Sequence, residues 1–393
     1  MPAELKLKLN ATERRASVAL AGLFACRMLG LFLLLPVFAV AAQGLVGGDN
    51  PAKVGLALGI YGLTQAFMQI PFGLASDRWG RRPVVLFGLV LFVIGSVVCA
   101  LSDDIFWVTI GRSIQGAGAI SAAVTAWLAD ATRDEVRTRA MAMVGGSIGL
   151  SFALSLVLSP VLVGWWGLSG LFWVIAALGV ACLGVARFVV PLAPRNDARS
   201  MNASARDVLG HADLLRLNLG VYVLHLTQVA LFIVVPGLLA QSGGLAPSAL
   251  WRVYLPVILV SFVLMVPVVF LAEKMRAHRA ALRACVAMLA VVLAAMVWLR
   301  QGFYPLAIGL TLFFVMFNVL EALQPSLVSR VAPKAYRGLA LGFYNTAQAA
   351  GLFTGGALGG WMLVHGGPDL VFLVTAGLTL VWLAATWAMK PLS

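Results

Sequence analysis

Every acidic residue of the chain but one lies at a terminus, in a polar loop or at the end of an apolar stretch. The exception is Glu321. A lone carboxylate in hydrocarbon is costly, so it must be protonated or paired part of the time. That is the behaviour a proton carrier needs. Helical spacing aligns Asn318, Glu321 and Pro325 on one face, with Gln324 close by. His225 is the only histidine well inside an apolar stretch; it shares a face with Asn218 and Tyr222, and Gln228 is adjacent. Paired with Glu321, it would form a titrating couple. The plainer reading makes Glu321 a hydrogen bond between helices and His225 a satisfied packing residue.

Two cations are placed as unusually. Arg27 is near the middle of the first apolar stretch, and Arg112 is about two turns inside the fourth. A buried arginine normally faces a cavity or a partner, although Arg112 could instead reach outward to the interface. Tyr61, Gln65 and Gln69 make a polar stripe in the second stretch, and Gln115 follows Arg112. Asn345 and Gln348 precede a ridge of Gly351, Gly355 and Gly359, whose small residues suit close helix packing better than substrate contact. These polar side chains are the candidates to line a cavity.

Soluble-enzyme chemistry is missing from the sequence. There is no P-loop, so ATP is not the expected energy source. No His/Cys/carboxylate set has metal-ligand spacing, and no serine has a plausible histidine and acid around it. Cys26, Cys99, Cys182 and Cys285 sit in or beside apolar segments and read as small packing residues. Neither an enzyme, a cofactor nor a metal site is expected.

The elements that must hold these side chains follow from composition. Of 393 residues, 61% are apolar and 11% charged, whereas a soluble protein has about 45–50% and 25%. The apolar residues fall in runs of about 20, the length of a bilayer span. Twelve such runs lie at 17–41, 52–75, 83–101, 105–129, 139–163, 169–190, 216–241, 250–272, 280–299, 305–329, 338–363 and 369–389. The polar stretch 191–215 divides them into two sets of six. The expected organisation is therefore a cytoplasmic N-terminus at 1–16, a six-helix bundle at 17–190, a cytoplasmic linker at 191–215, a second bundle at 216–389 and a tail at 390–393. The net charge of +13 points to membrane orientation, not to nucleic acid. All Lys and Arg residues except Arg27, Lys53, Arg112, Arg252 and Arg300 fall on one side of this alternation, which by the positive-inside rule predicts both termini in the cytoplasm.

The halves look alike. Leu31-Phe32-x-x-x-Pro36 recurs as Leu231-Phe232-x-x-x-Pro236, and Arg137 and Ala140 recur as Arg337 and Ala340. A duplicated six-helix unit is the usual architecture of secondary transporters, with the substrate site between repeats.

Between the second and third spans the chain reads Gly73-Leu74-Ala75-Ser76-Asp77-Arg78-Trp79-Gly80-Arg81-Arg82. This resembles motif A of the major facilitator superfamily, with Ala75 and Ser76 as small departures. The fourth span carries Gly111-Arg112-x-x-Gln115-Gly116-x-Gly118, similar to motif B. Gly145, Gly149 and Pro160 match the antiporter motif C only in part. Arg27 to Phe32, Tyr61 to Ala66, Gln69 to Leu74 and Asn318 to Leu327 resemble the drug:H+ antiporter type with twelve helices, over about Arg14 to Lys390. One bacterial inner-membrane member that these segments resemble continues into a small soluble domain. The chain stops at Ser393, so regulation through such a domain is expected to be absent.

The resemblance implies an all-α membrane protein with the major facilitator fold, two six-helix bundles around a cavity open to each side in turn. It implies that Asp77, Arg81 and Asp130 form a charge cluster latching one conformation, with Gly73, Arg78, Gly80 and Arg82 completing the loop; anchoring to anionic headgroups is the plainer reading. Glu273 and Arg330 sit at the matching places of the second half. The resemblance further implies that Arg112 takes part in proton coupling. The expected activity is proton-coupled export of small, largely apolar molecules in a bacterial inner membrane, by a monomer driven by the proton-motive force. Two arginines in spans favour neutral or anionic cargo. The alternatives are a dedicated exporter or importer of one metabolite, sugar, siderophore or lipid, and a non-transporting sensor or scaffold.

Overall fold

A computed structural model of the chain describes residues 9–192, 205–275, 277–333 and 336–389. Residues 1–8, the middle of the expected linker (193–204) and the tail from 390 lie outside the described residues. What is described is helical, apart from an isolated bridge between Val46 and Asp104.

Helix α1 (Ala11–Phe32) starts at a capping box in which Asn10 and Glu13 exchange side-chain and backbone hydrogen bonds, satisfying two orphan donors of the first turn. It ends earlier than the expected 41: residues 33–37 are a turn around Pro36, followed by the short helix Phe38–Ala41. Then come α2 (Pro51–Trp79) and α3 (Arg81–Ala100). Helix α4 is in two pieces, Ile105–Ala117 and Ser121–Asp130, broken at 118–120. The helix Asp134–Gly184 breaks at Gly167, giving α5 (134–166) and α6 (168–184). The second half holds α7 (Ala212–Gly243), α8 (Trp251–Lys274), α9 (His278–Leu299) and α10 (Phe303–Val331). Helix Arg337–Trp387 breaks at Gly367 into α11 (337–366) and α12 (368–387).

By length and composition alone, eight helices are apolar enough to cross a bilayer, two of them the long helices that break at Gly167 and Gly367. The other two expected spans fall short for visible reasons. Helix α2 carries Tyr61, Gln65, Gln69 and Asp77, and α4 is split into pieces of 13 and 10 residues. All twelve expected helices are present.

The duplication is written in the backbone. Gly167 and Gly367, 200 positions apart, share φ 66° with ψ −172° and −166°, a region essentially restricted to glycine. Each half also plugs the carbonyls at the end of its last helix with cations. Arg15 Nε and Trp127 Nε1 donate to the Val189 and Pro191 carbonyls at 3.1 Å, and Arg82 donates to that of Val190. Arg283 donates to Thr386 at 3.1 Å and Arg279 to Met389 at 3.2 Å. Cations are favourable at these carbonyl ends.

Close approaches between halves gather at the end away from the basic loops. Gly55 and Gly59 of α2 face Gly356, Gly360 and Phe353 of α11 so tightly that a Cβ on Gly59 would lie 2.5 Å from the Phe353 carbonyl oxygen. Tyr254 of α8 donates to the Pro36 carbonyl at 3.3 Å. The ridge Gly351, Gly355 and Gly359 packs on α7 at Tyr222, Leu226 and Ala230, the close packing that its small residues suit. Helix α11 thus has two glycine faces, one for its own half and one for α2.

Candidate functional site

The deep acid and histidine of the second half meet. Glu321 Oε2 of α10 lies 3.6 Å from His225 Nε2 of α7. That oxygen is buried with no hydrogen-bond partner, while the Glu321 side chain as a whole is 33% exposed. His225 Nδ1 is 3.0 Å from the Val221 carbonyl oxygen, and Nε2 is 2.7 Å from Gln348 Nε2 of α11. A carbonyl can only accept, so Nδ1 carries the proton, and Nε2 accepts from the Gln348 amide. A proton arriving at Nε2 turns that atom into a donor. The Gln348 amide must then turn, and the Glu321 carboxylate is the charged acceptor next to it.

Around this couple the other expected cavity residues separate. Asn318 turns to α8 and donates to Ser261 Oγ at 3.0 Å. Gln324 is fully buried against Gly220 of α7 and Trp382 of α12, so it sits in a helix seam and not on a cavity wall. Gln228 is buried with Oε1 unpartnered, whereas Asn218, Tyr222 and Asn345 are half-buried. Next to His225 stands an aromatic group the sequence reading overlooked. The Phe317 ring is 5.8 Å from His225, and Phe152 of α5 reaches across the halves to Phe314 and Phe317 at 5.7 and 5.9 Å. The signal was Phe313-Phe314-x-x-Phe317 one turn before Glu321.

In the first half, α1, α2 and α4 bring Arg27, Tyr61 and Arg112 together. Both guanidinium groups face the Tyr61 ring, at 6.0 and 4.8 Å from its centroid. Arg27 donates to Ser121 Oγ and the Gly118 carbonyl, each at 3.2 Å, where the break in α4 frees backbone oxygens. Arg112 does not reach outward. It donates to Gln115 Oε1 at 2.8 Å and to the Leu58 carbonyl at 3.3 Å. Gln115 in turn donates to Ser96 Oγ at 2.7 Å and is fully buried, again in a seam. Gln65 and Gln69 are buried on the same stripe as Tyr61.

The motif loop forms a compact charge cluster. Arg81 Nε donates to Asp130 Oδ2 at 2.8 Å, and Nη1 bonds Asp77 and, at 2.8 Å, Ser76 Oγ. Burial by itself would lower the basicity of Arg81, but the hydrogen bond and charge of Asp130, with the charge of Asp77, raise it. Gly80 has φ +95° and tolerates no other residue cheaply. A Cβ on Gly73 would meet nothing nearer than Ala122 at 3.8 Å, an ordinary contact, so this glycine is not needed for a close helix approach. Arg82 packs over the Trp127 ring, and Arg78 is exposed in the last turn of α2. In the second half Arg330 bonds Glu273 at 3.1 Å. A further clamp had no signal in the motifs: Glu13 takes Arg133 Nε at 2.7 Å and Nη2 at 3.0 Å. The Arg133 hydrogen bond holds its carboxyl down at about 2, against the opposing effect of burial.

The profile of the Major Facilitator Superfamily matches residues 20–322 and again 217–393. The inner membrane transport protein YajR of Escherichia coli K12 is 42% identical over 388 residues, 98% of this chain and 85% of that one. The multidrug resistance protein MdtL of Escherichia coli O17:K52:H18 is 31% identical over 153 residues, 37% of this chain and 39% of its own. The crystal structure of a D-xylose–proton symporter superposes with a TM-score of 0.77 at 14% identity, covering 96% of this chain and 98% of that one.

Proposed function

The chain belongs to the Major Facilitator Superfamily, a family of secondary transporters and not of enzymes, and from that premise we propose that it is a proton-coupled antiporter of the bacterial inner membrane that exports small, largely apolar molecules. The observation that carries this reading is the buried, unpartnered Glu321 oxygen 3.6 Å from His225 Nε2. A group of this kind takes a proton from one side and loses it to the other as its surroundings change. The cargo class is read from the phenylalanines beside it, which offer apolar surface and few hydrogen bonds. The name of MdtL, a relative over part of the chain, favours efflux.

The coupling route runs through α11. Protonation at His225 Nε2 rearranges its bond to Gln348, and the same helix carries Gly356 and Gly360, which close on α2. Proton binding thereby bears on the seam that shuts one end. One charge moved through 100 mV supplies roughly 2.3 kcal/mol, enough for about a 50-fold gradient at ~1.4 kcal/mol per decade. On this reading both termini and the basic loops lie in the cytoplasm, and the cavity opens there when the glycine seam is closed.

The test is a growth screen in a strain stripped of its own pumps, paired with proton flux in vesicles loaded with a pH-sensitive dye. Wild-type protein should protect against a subset of lipophilic compounds, and the same compounds should drive proton release. Glu321→Gln should lose both. Undiminished proton flux in Glu321→Gln would end the assignment of the proton to this couple.

A further inference from the structure

The first half holds two arginines that are each 1% exposed and, among the described residues, have no carboxylate within salt-bridge distance. Each guanidinium carries five N–H donors. The hydrogen bonds of Arg27 go to one hydroxyl and one carbonyl, and those of Arg112 to one amide oxygen and one carbonyl. Nε of both is buried without a partner. So are the Tyr61 hydroxyl between them, Gln65 Oε1, and both amide atoms of Gln69 further along α2. Two cations and a row of unpartnered polar atoms are thus packed in a span region with no counter-charge of their own. Buried charge is normally paired: the buried Glu13 has Arg133, and even the less buried Arg81 and Arg300 have Asp130 and Asp369.

The break in α4 sharpens the point. Gly118 leaves the helical path just where Arg27 crosses from α1, so Arg27 is held by a carbonyl at a break and not by a continuous helix. Arg112 is fixed by Gln115, itself tied to Ser96 of α3. Each guanidinium is therefore held by two hydrogen bonds, one to a side chain and one to the backbone. Donors in a planar fork match a carboxylate in two-point contact. An apolar wall, Phe32 against Phe152 at 5.2 Å, begins on α1 little more than one turn beyond Arg27.

We propose that Arg27, with Arg112 and Tyr61, forms an anion site in the first half that takes the carboxylate of a small lipophilic acid, the apolar body lying toward the phenylalanines. The proposal deepens the transport reading and rests on it for the identity of the ligand as cargo. The site does not use Glu321 or His225. Cargo and proton are held at different sites, the anion supplying the counter-charge that Arg27 and Arg112 lack.

The experiment measures binding of 1-naphthoate to the full-length protein in lipid nanodiscs by calorimetry, with empty nanodiscs subtracted. 1-Naphthamide and 1-naphthylmethylamine serve as neutral and cationic matches of the same body. The expected result is saturable binding of naphthoate, at least tenfold weaker binding of the amide (about 1.4 kcal/mol), and no binding of the amine. Arg27→Gln should weaken naphthoate at least tenfold, and Arg27→Lys less. Equal binding of naphthoate and naphthamide to the wild-type protein overturns the site without reference to any variant, as does preference for the amine. Full naphthoate affinity in a monodisperse Arg27→Gln does the same. The two readings fail separately. Naphthoate binding that needs Arg27 with no proton flux keeps the anion site and removes the coupling. Proton-coupled transport of other compounds without naphthoate binding keeps the coupling and removes the anion site.

Discussion

Adding one methyl group at Gly356 should open the molecule at the end away from the basic loops. A Cβ there would lie 2.7 Å from Gly59 N and 2.8 Å from Gly59 Cα, whereas carbon atoms rest at about 3.5–4.0 Å. Both neighbours are backbone and cannot swing aside, so α2 and α11 must part by roughly 1 Å. Overpacking of this kind costs about 1–3 kcal/mol, and it is felt only while the seam is closed. The gain from replacing glycine by alanine inside a helix, about 0.5–1 kcal/mol, is common to both conformations and cancels in their ratio. The equilibrium should therefore move about 5- to 150-fold toward the parted state; a ratio of 10:1 would become roughly 2:1 to 1:15. The assay is electron–electron distance measurement between spin labels at Lys53→Cys and His365→Cys, both exposed near the seam, with the four native cysteines replaced by serine. Gly145→Ala is the control, since nothing lies within 4 Å of a Cβ there. A distance distribution for Gly356→Ala that coincides with that of Gly145→Ala would refute the reasoning that these glycines set the closed state.

The charge cluster at the motif loop should prove conformational: Arg81→Ala and Asp130→Asn should insert normally but transport at a reduced rate, and normal transport by both would remove the latch. The Glu13–Arg133 clamp has a pH signature. The Glu13 carboxyl is held at about 2 in the folded chain, below its ordinary 4.5, so its stabilising effect is complete above about pH 4.5 and is lost as pH falls toward 2. The melting-temperature gap between wild type and Glu13→Gln should be constant from pH 8 to about 5 and shrink below that; a gap that widens on acidification would contradict the assignment.

Helix count, duplication and loop chemistry were legible in the residues because each is local. Span length follows from bilayer thickness. Gly80 and the charged positions of the motif loop are neighbours in sequence, and Asp130 was identified from its position at the end of the fourth span. The offset of 200 that links Leu31 to Leu231 also links Gly167 to Gly367, where the backbone itself repeats. The helix ends were less legible. Pro36 stops α1 in a turn while Pro236 stays inside α7, although the flanking residues match.

Inside the bundle, periodicity assigned side chains to a face but not to a neighbour. Asn318 and Glu321 were read on one face with Gln324 close by, yet they turn to α8, to His225 and to the α7–α12 seam respectively. Residues three apart on a helix already point about 60° apart, and in a crowded bundle that is enough to meet different helices. The clamp of Glu13 on Arg133 joins residues 120 positions apart, and no spacing rule reaches that far.

The chain by itself determined that it spans a membrane twelve times, in two related halves, with one acid and one histidine deep inside. Hydrophobic length and charge alternation act residue by residue along the strip of sequence. Only the tertiary structure decided that Glu321 meets His225, that Arg27 and Arg112 share one tyrosine, and that glycines of α2 and α11 close on each other. Those pairings depend on which faces of distant helices are turned together, and that is settled by backbone approach and packing between elements.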